Sequence, residues 1–177
     1  GQNAKAIEDA RNFNTRYGRD RKQATKAAQI AFAIGAHYVE KGEYKDALDA
    51  LGRNAMRQID QNATPDVKIQ AHALLGRIYS EQGNSRNADK EYGTVKNSWK
   101  DAGKMQQAIM AIPGGRAANE RRLGKTLTAV GEALFYFAEK ERAKADAITM
   151  PEYKGKGERK DVDKFVKNDI KTWMDKK

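Results

Sequence analysis

Apolar positions recur at three- and four-residue steps along almost the whole chain, the spacing of one face of an α-helix. In "AKAIEDARNFNTRY", Ala6, Ala10, Phe13 and Tyr17 fall on one such face. A second helix is predicted over about 20–41, where "KGEY" breaks it, and a third over about 44–61, uninterrupted by the Asp and Gly residues between 46 and 52. "NATPD" stops and restarts the chain, with Thr64 as N-cap and Pro65 at the first helical position. The helix it starts reaches about 82, "QGNS" turns the chain, and another helix covers about 85–100. A weaker helical piece spans 104–111, and Pro113, Gly114 and Gly115 then form the strongest break. A long helix is predicted over about 116–150, with Leu123, Leu127, Val130, Leu134, Phe137, Ala145 and Ile148 as its packing stripe and Pro151 as its end. After the basic loop "EYKGKGERK", a last helix over about 161–175 sets Val162, Phe165, Val166, Ile170 and Trp173 on one face. No segment alternates with period two, so the predicted fold class is all-α with essentially no β-structure.

Two stretches of this pattern align with each other. "AFAIGAHYVEKGEYKDALDAL" begins at Ala31 and "HALLGRIYSEQGNSRNADKEY" at His72. The matched pairs are Ile34/Leu75, Gly35/Gly76, Tyr38/Tyr79, Gly42/Gly83, Ala47/Ala88 and Leu51/Tyr92. Each position has a physical reading. Gly35 and Gly76 leave room for a paired helix, and Tyr38 and Tyr79 fill the next layer. Gly42 and Gly83 end the first helix where a left-handed residue is needed, and Ala47 and Ala88 let the second helix pack closely. The pattern resembles the tetratricopeptide repeat (TPR), whose signature sets W-x-x-L-G-x-x-Y on one helix and A-x-x-x-F on the next. The resemblance covers about 25–99 and implies an α-solenoid of antiparallel helix hairpins, with units over about 25–62 and 65–100. The units stand 41 residues apart, against about 34 in the family, and the extra turns are assigned to the helix ending near Gln61. "LTAVGEALFYFAEKERAKADA" sets Val130 and Gly131 in the Leu-Gly place of a degenerate third unit and reads instead as one long helix.

A second, broader resemblance covers about 127–177. There "VGEALFYFAEKERAKADAITMPEYKG" and "VKNDIKTWMDKK" are similar to a segment of large TPR proteins of gliding bacteria, associated with adventurous gliding motility. It implies an envelope-associated, periplasmic scaffold. The organisation expected is helical hairpins over 1–112, then a long helix and a C-terminal helix over 113–177, continuous with the array. Gly1 reads as an excision point or a residue left by cloning, and "IKTWMDKK" is still in amphipathic register, so the chain is expected to be a piece of a longer protein.

Composition narrows the chemistry. The chain of 177 residues is 39% hydrophobic and 33% charged, which describes a thin-cored helical protein. Without cysteine it has no disulfide, thiolate metal site or cysteine nucleophile. No apolar run approaches the roughly 18 residues of a membrane span. The net charge of +10 favours nucleic acid, anionic lipid or acidic partners, but the signs interleave, as in "EYKDALD", which describes solvated helix faces.

The stretch "PGGRAANERRLGKT" tests the main enzymatic alternative. A phosphate loop requires G-x-x-x-x-G-K-[ST], because consecutive backbone N–H groups wrap the phosphates. Gly124, Lys125 and Thr126 would need glycine at 119, where the chain has Asn119. The only histidines are His37 and His72, with no second ligand at metal-binding spacing, and His72 occupies a repeat position that usually packs. "NAT" at Asn62 fits a glycosylation acceptor but leads directly into Pro65. No catalytic, metal or cofactor residue is therefore assigned, and the expectation is a non-enzymatic protein without cofactor.

What remains is surface. The TPR resemblance implies a concave groove lined by first helices: Gln29, Phe32, Ala36, Val39 and Glu40 from the first unit, and Gln70, Ala73, Arg77, Ser80 and Glu81 from the second. Phe32 and Ala36 stand where the family's carboxylate-clamp members have polar residues. An apolar patch near Arg77 suits an amphipathic helix or extended peptide with an acidic residue. The same face is equally suited to being filled by helices of this chain, the N-terminal one in particular. A candidate basic surface comprises Arg16, Arg19, Arg21, Lys22, Arg116, Arg121, Arg122 and Lys125. It carries the alternative reading, a basic helical-repeat protein binding RNA or DNA. The aromatics that would stack on bases, among them Phe32, Tyr38, Tyr79 and Phe137, fall on predicted packing faces.

Overall fold

The computed structural model describes residues 2–17, 20 and 22–176. They are all-helical, with no strand. The helices are α1 (Gln2–Tyr17), α2 (Ala24–Glu40), α3 (Tyr44–Ala50), α4 (Arg53–Asn62), α5 (Pro65–Glu81), α6 (Ser85–Ser98), α7 (Ala102–Met110), α8 (Arg116–Asp146), α9 (Arg159–Phe165) and α10 (Lys171–Lys176), with a π-helical turn, Val166–Ile170, joining the last two. The chain divides into two compact units, Gly1–Leu134 and Phe135–Lys177.

In the first unit, α2 pairs with α3 and α4, and α5 pairs with α6. Both pairings turn on the same backbone device. Gly42 and Gly83 have φ of +74° and +70°, where a side chain would be strained. At the first turn, the Gly42 N–H donates to the Val39 carbonyl (3.0 Å) and the Glu43 N–H to the Tyr38 carbonyl (2.9 Å). At the second, Gly83 donates to Ser80 (3.0 Å) and Asn84 to Tyr79 (2.8 Å). These are the two bonds of a Schellman motif, made twice at matching positions.

The helices then approach over glycine. A methyl added to Gly35 would stand 2.7 and 2.8 Å from the Leu51 Cδ1 and Cδ2 carbons. One added to Gly76 would stand 2.8 Å from Cδ1 and Cε1 of the Tyr92 ring. Ala47 and Ala88 are fully buried beside these contacts. The core joins Ala28, Ala31, Val39, Ala47, Leu51, Met56, Ile59, Val67, Ala71, Leu75 and Ile78, with Phe32, Tyr38 and Tyr79 packed on its margin. Each fully buried isoleucine contributes about 1.5–3 kcal/mol to holding it together.

Several boundaries depart from the sequence pattern. The helix expected over 44–61 is two helices, broken at Leu51 and Gly52. Gly52 has extended backbone (φ −59°, ψ 172°), and its carbonyl accepts from the Met56 N–H at 3.0 Å to start α4. Glycine costs a helix interior about 1 kcal/mol. The break keeps Ala47 and Leu51 in the core while letting Met56, Ile59 and Ala63 join it. Thr64 holds the N-cap position of α5, but its side chain makes no capping bond; its carbonyl accepts from Lys68 (3.1 Å) instead. Side-chain caps are supplied by Asn84 on α6 and Asp101 on α7.

The packing face of α8 also differs. Its buried residues are Asn119, Thr126, Ala129, Val130 and Ala133. Leu127 and Leu134, expected in the stripe, are 43% and 48% exposed. The residues that α8 buries are mostly small or polar, and the larger aliphatics Leu127 and Leu134 face solvent. Gly114 and Gly115, with φ of +137° and +85°, make the break before α8. Asn119 secures that break by donating from Nδ2 to the carbonyls of Met110 (2.8 Å) and Ile112 (2.7 Å). On α1, Ala10 and Phe13 are partly buried and Tyr17 is exposed, while the side chain of Ala6 lies outside the described residues.

In the second unit α8 ends at Asp146 rather than near 150, and the 147–158 loop leads to α9. The Tyr153 and Phe165 rings meet at 5.3 Å, and Trp173 Nε1 donates to the Ile148 carbonyl (3.4 Å). The π turn inserts an extra residue into the helical phase. Phe165, Ile170 and Trp173 are thereby partly covered, whereas Val162 and Val166, expected on the same face, are exposed.

Candidate functional site

A cavity of about 300 Å³ lies between α2, α5 and α8, within the first unit. From α2 come Phe32, Ala36, Val39 and Glu40; the first three recur at four and three residues, one face of the helix. From α5 come Gln70, Ala73, Leu74 and Arg77. The third wall is Lys125, Thr128, Ala129 and Glu132 of α8. Seven of the ten groove residues read from the sequence thus line one space. Gln29, Ser80 and Glu81 do not line it and are exposed to solvent.

The α8 wall is fixed by Glu132, which sequence reasoning missed. Its Oε1 accepts from Arg77 Nε (2.8 Å) and from the Tyr92 hydroxyl (2.7 Å), and its Oε2 pairs with Arg77 Nη2. The hydrogen bond to Glu132 is the main reason the Arg77 guanidinium holds its proton more firmly than usual. Glu132 therefore ties α8 to both helices of the second hairpin. The helix that narrows the groove is thus α8. The N-terminal helix packs on α2 elsewhere, with Arg11 Nη2 donating to the Tyr38 hydroxyl (3.3 Å).

The described residues of the candidate basic surface differ in setting. Arg19 and Arg21 lie outside the described residues. Arg16, Lys22 and Arg121 are exposed, and Arg116 is exposed but paired with Glu120 at 2.8 Å. Arg122 turns inward: it donates to the Pro113 carbonyl (3.3 Å), bonds the Asn119 side-chain oxygen and reaches Asp66, which is 4% exposed, at 4.0 Å. Lys125 lines the cavity, where it has no ion pair among the described residues. Gly124, Lys125 and Thr126 lie inside α8, with the buried Thr126 hydroxyl donating to the Arg122 carbonyl at 2.9 Å.

Beside the groove, His72 joins three helices. Its Nδ1 meets Glu91 Oε2 of α6 at 2.6 Å, and its Nε2 meets Asp60 Oδ1 of α4 at 2.9 Å. Two carboxylate partners require two N–H donors, which only the imidazolium has. Burial pulls the His72 pKa down, but the hydrogen bond and charge of Glu91, with those of Asp60, outweigh it and raise the pKa overall. Burial likewise works against the Glu91 carboxylate, and the bond to His72 reverses it, so its pKa falls. Both ring nitrogens are occupied by structural partners. His37 is partly buried, and its Nε2 has no hydrogen-bond partner. Among the described residues no cluster of His, Asp or Glu is placed to hold a metal ion, and no helix is long and apolar enough to cross a membrane.

No protein-family model matches the chain, and no curated protein or solved structure is significantly similar to it.

Proposed function

We propose that this chain is a non-enzymatic protein–protein interaction module, a scaffold of TPR type whose stacked hairpins present the α2–α5–α8 groove to a partner. The observation that carries the proposal is the recurrence of the same contacts in two hairpins. Gly35 meets Leu51 as Gly76 meets Tyr92, and Gly42 and Gly83 make the same turn. Repeated hairpins that differ in surface but share such contacts are a way of building a binding face. The groove offers an apolar floor at Phe32, Ala36 and Val39, with Lys125 at its edge, which suits a peptide or helix bearing an apolar anchor and an acidic residue. The resemblance of 127–177 to large TPR proteins of gliding bacteria extends the proposal to a bacterial envelope or motility assembly, with the module in the periplasm.

The test is affinity capture from native cells with the wild-type chain and with a Phe32→Glu, Lys125→Glu double variant. The proposal requires a discrete protein partner that the wild type recovers and the variant loses. No partner, or one recovered equally by both chains, would overturn it.

A further inference from the structure

The break between α3 and α4 opens a second cleft, of about 560 Å³, bounded by α3, α4, α5 and α6 and distinct from the α2–α5–α8 groove. Its apolar floor is the partly exposed Leu48 and Tyr79, lying over Met56 and Leu75 of the core. Its rim carries Arg53 and Arg57, exposed one helical turn apart on α4. The carboxylates that also border the cleft are committed elsewhere. Asp60 and Glu91 both hold His72, and Glu91 also meets Lys90 Nζ at 3.5 Å. Arg53 and Arg57 have no carboxylate partner among the described residues. The cleft thus combines an apolar floor with two exposed guanidiniums that can pair with an acidic group. A phosphate-bearing nucleic acid would satisfy the arginines and leave the aliphatic floor unused. A protein segment with carboxylates beside a large apolar side chain satisfies both.

We propose that this cleft docks an acidic amphipathic protein segment, which lays a large apolar side chain on Leu48 and Tyr79 and sets carboxylates on Arg53 and Arg57. Guanidinium–carboxylate pairs are bidentate and fix the segment's register, while the floor supplies the apolar burial. The site owes its existence to the additional length of the first repeat unit, which forms a separate α4 instead of prolonging α3. It is independent of the α2–α5–α8 groove, so either can fail without the other.

The probe is a display library of randomised helical peptides, panned on the whole chain. The expected result is enrichment of sequences with two or more Asp or Glu residues flanking a Leu, Phe or Met. Their binding should weaken at least tenfold in an Arg53→Glu, Arg57→Glu variant, weaken with rising salt, and stay unchanged in Arg86→Glu, an exposed position on α6 away from the cleft. Both arginines are exposed, so the variant should keep the wild-type circular dichroism and urea midpoint. Three outcomes overturn the proposal: no enrichment, enrichment of peptides without acidic residues, or binding that survives the double arginine variant. A single-stranded RNA oligonucleotide that displaces the peptides at physiological salt would also overturn it, by reassigning the cleft to nucleic acid.

Discussion

Replacing glycine by alanine should destabilise the chain at 35 and 76 and stabilise it at 131. At a solvent-facing helical position the change stabilises by about 0.5–1 kcal/mol, because alanine is the better helix former. Gly131 is such a position: an added methyl meets nothing within 4 Å. At Gly35 the methyl lands 2.7 and 2.8 Å from two Leu51 carbons, where carbon atoms prefer about 3.5–4.0 Å. Either α3 retreats by close to 1 Å or Leu51 leaves its rotamer. Overpacking of this kind costs about 1–3 kcal/mol, so the net effect at Gly35 is a loss of about 0.5–2 kcal/mol. The same follows at Gly76, where the obstacle is the rigid Tyr92 ring. Urea unfolding followed by circular dichroism reads all three variants. A Gly35→Ala, Leu51→Ala double variant adds an internal control. Leu51→Ala alone should cost about 2–5 kcal/mol, and the alanine at 35 should offset part of that loss by filling the space. If Gly35→Ala and Gly76→Ala stabilise as much as Gly131→Ala, the close-approach account of both hairpins is wrong.

Other outcomes follow from single contacts. The His72 contribution is fully present below the unfolded pKa of about 6.5 and is lost as pH rises through the raised folded value. That of Glu91 is present above its unfolded value and lost as pH falls through the lowered one. Urea midpoints should therefore be highest in the mildly acidic range and decline toward alkaline pH, and His72→Gln should flatten the alkaline decline. Glu132→Ala should destabilise by about 0.5–1.5 kcal/mol, because it removes the acceptor that Arg77 and the Tyr92 hydroxyl share; a double-mutant cycle with Tyr92→Phe should show coupling between the two. Gly42→Ala and Gly83→Ala should each cost about 1–2 kcal/mol through the positive φ, read as a lower thermal midpoint.

The sequence was most legible where one residue answers a local backbone or steric need. Gly42 and Gly83 were readable because only glycine takes their turn without strain, and Gly35 and Gly76 because two stretches carried glycine at the same offset from a tyrosine. Seven groove residues followed from that register. The α8 wall did not, because Lys125, Thr128, Ala129 and Glu132 carry almost no hydrophobic signal, while Leu127 and Leu134 carry a strong one and face water. Glu132 was unreadable because its partners, Arg77 and Tyr92, are distant in the chain. The α3–α4 break was hidden because Gly52 lies within a helical run, and the burial of Met56 and Ile59 that favours the break is tertiary. The π turn was hidden because it shifts phase within an otherwise regular pattern.

The central claim is that the α2–α5–α8 groove receives a protein. A photo-crosslinking amino acid placed at position 36, on the cavity wall, tests it in native cells. The account predicts a discrete crosslinked protein adduct, lost when Phe32→Glu is added and absent when the probe is moved to the exposed position 86 on α6. No protein adduct at position 36, or the same adduct from both positions, would contradict it.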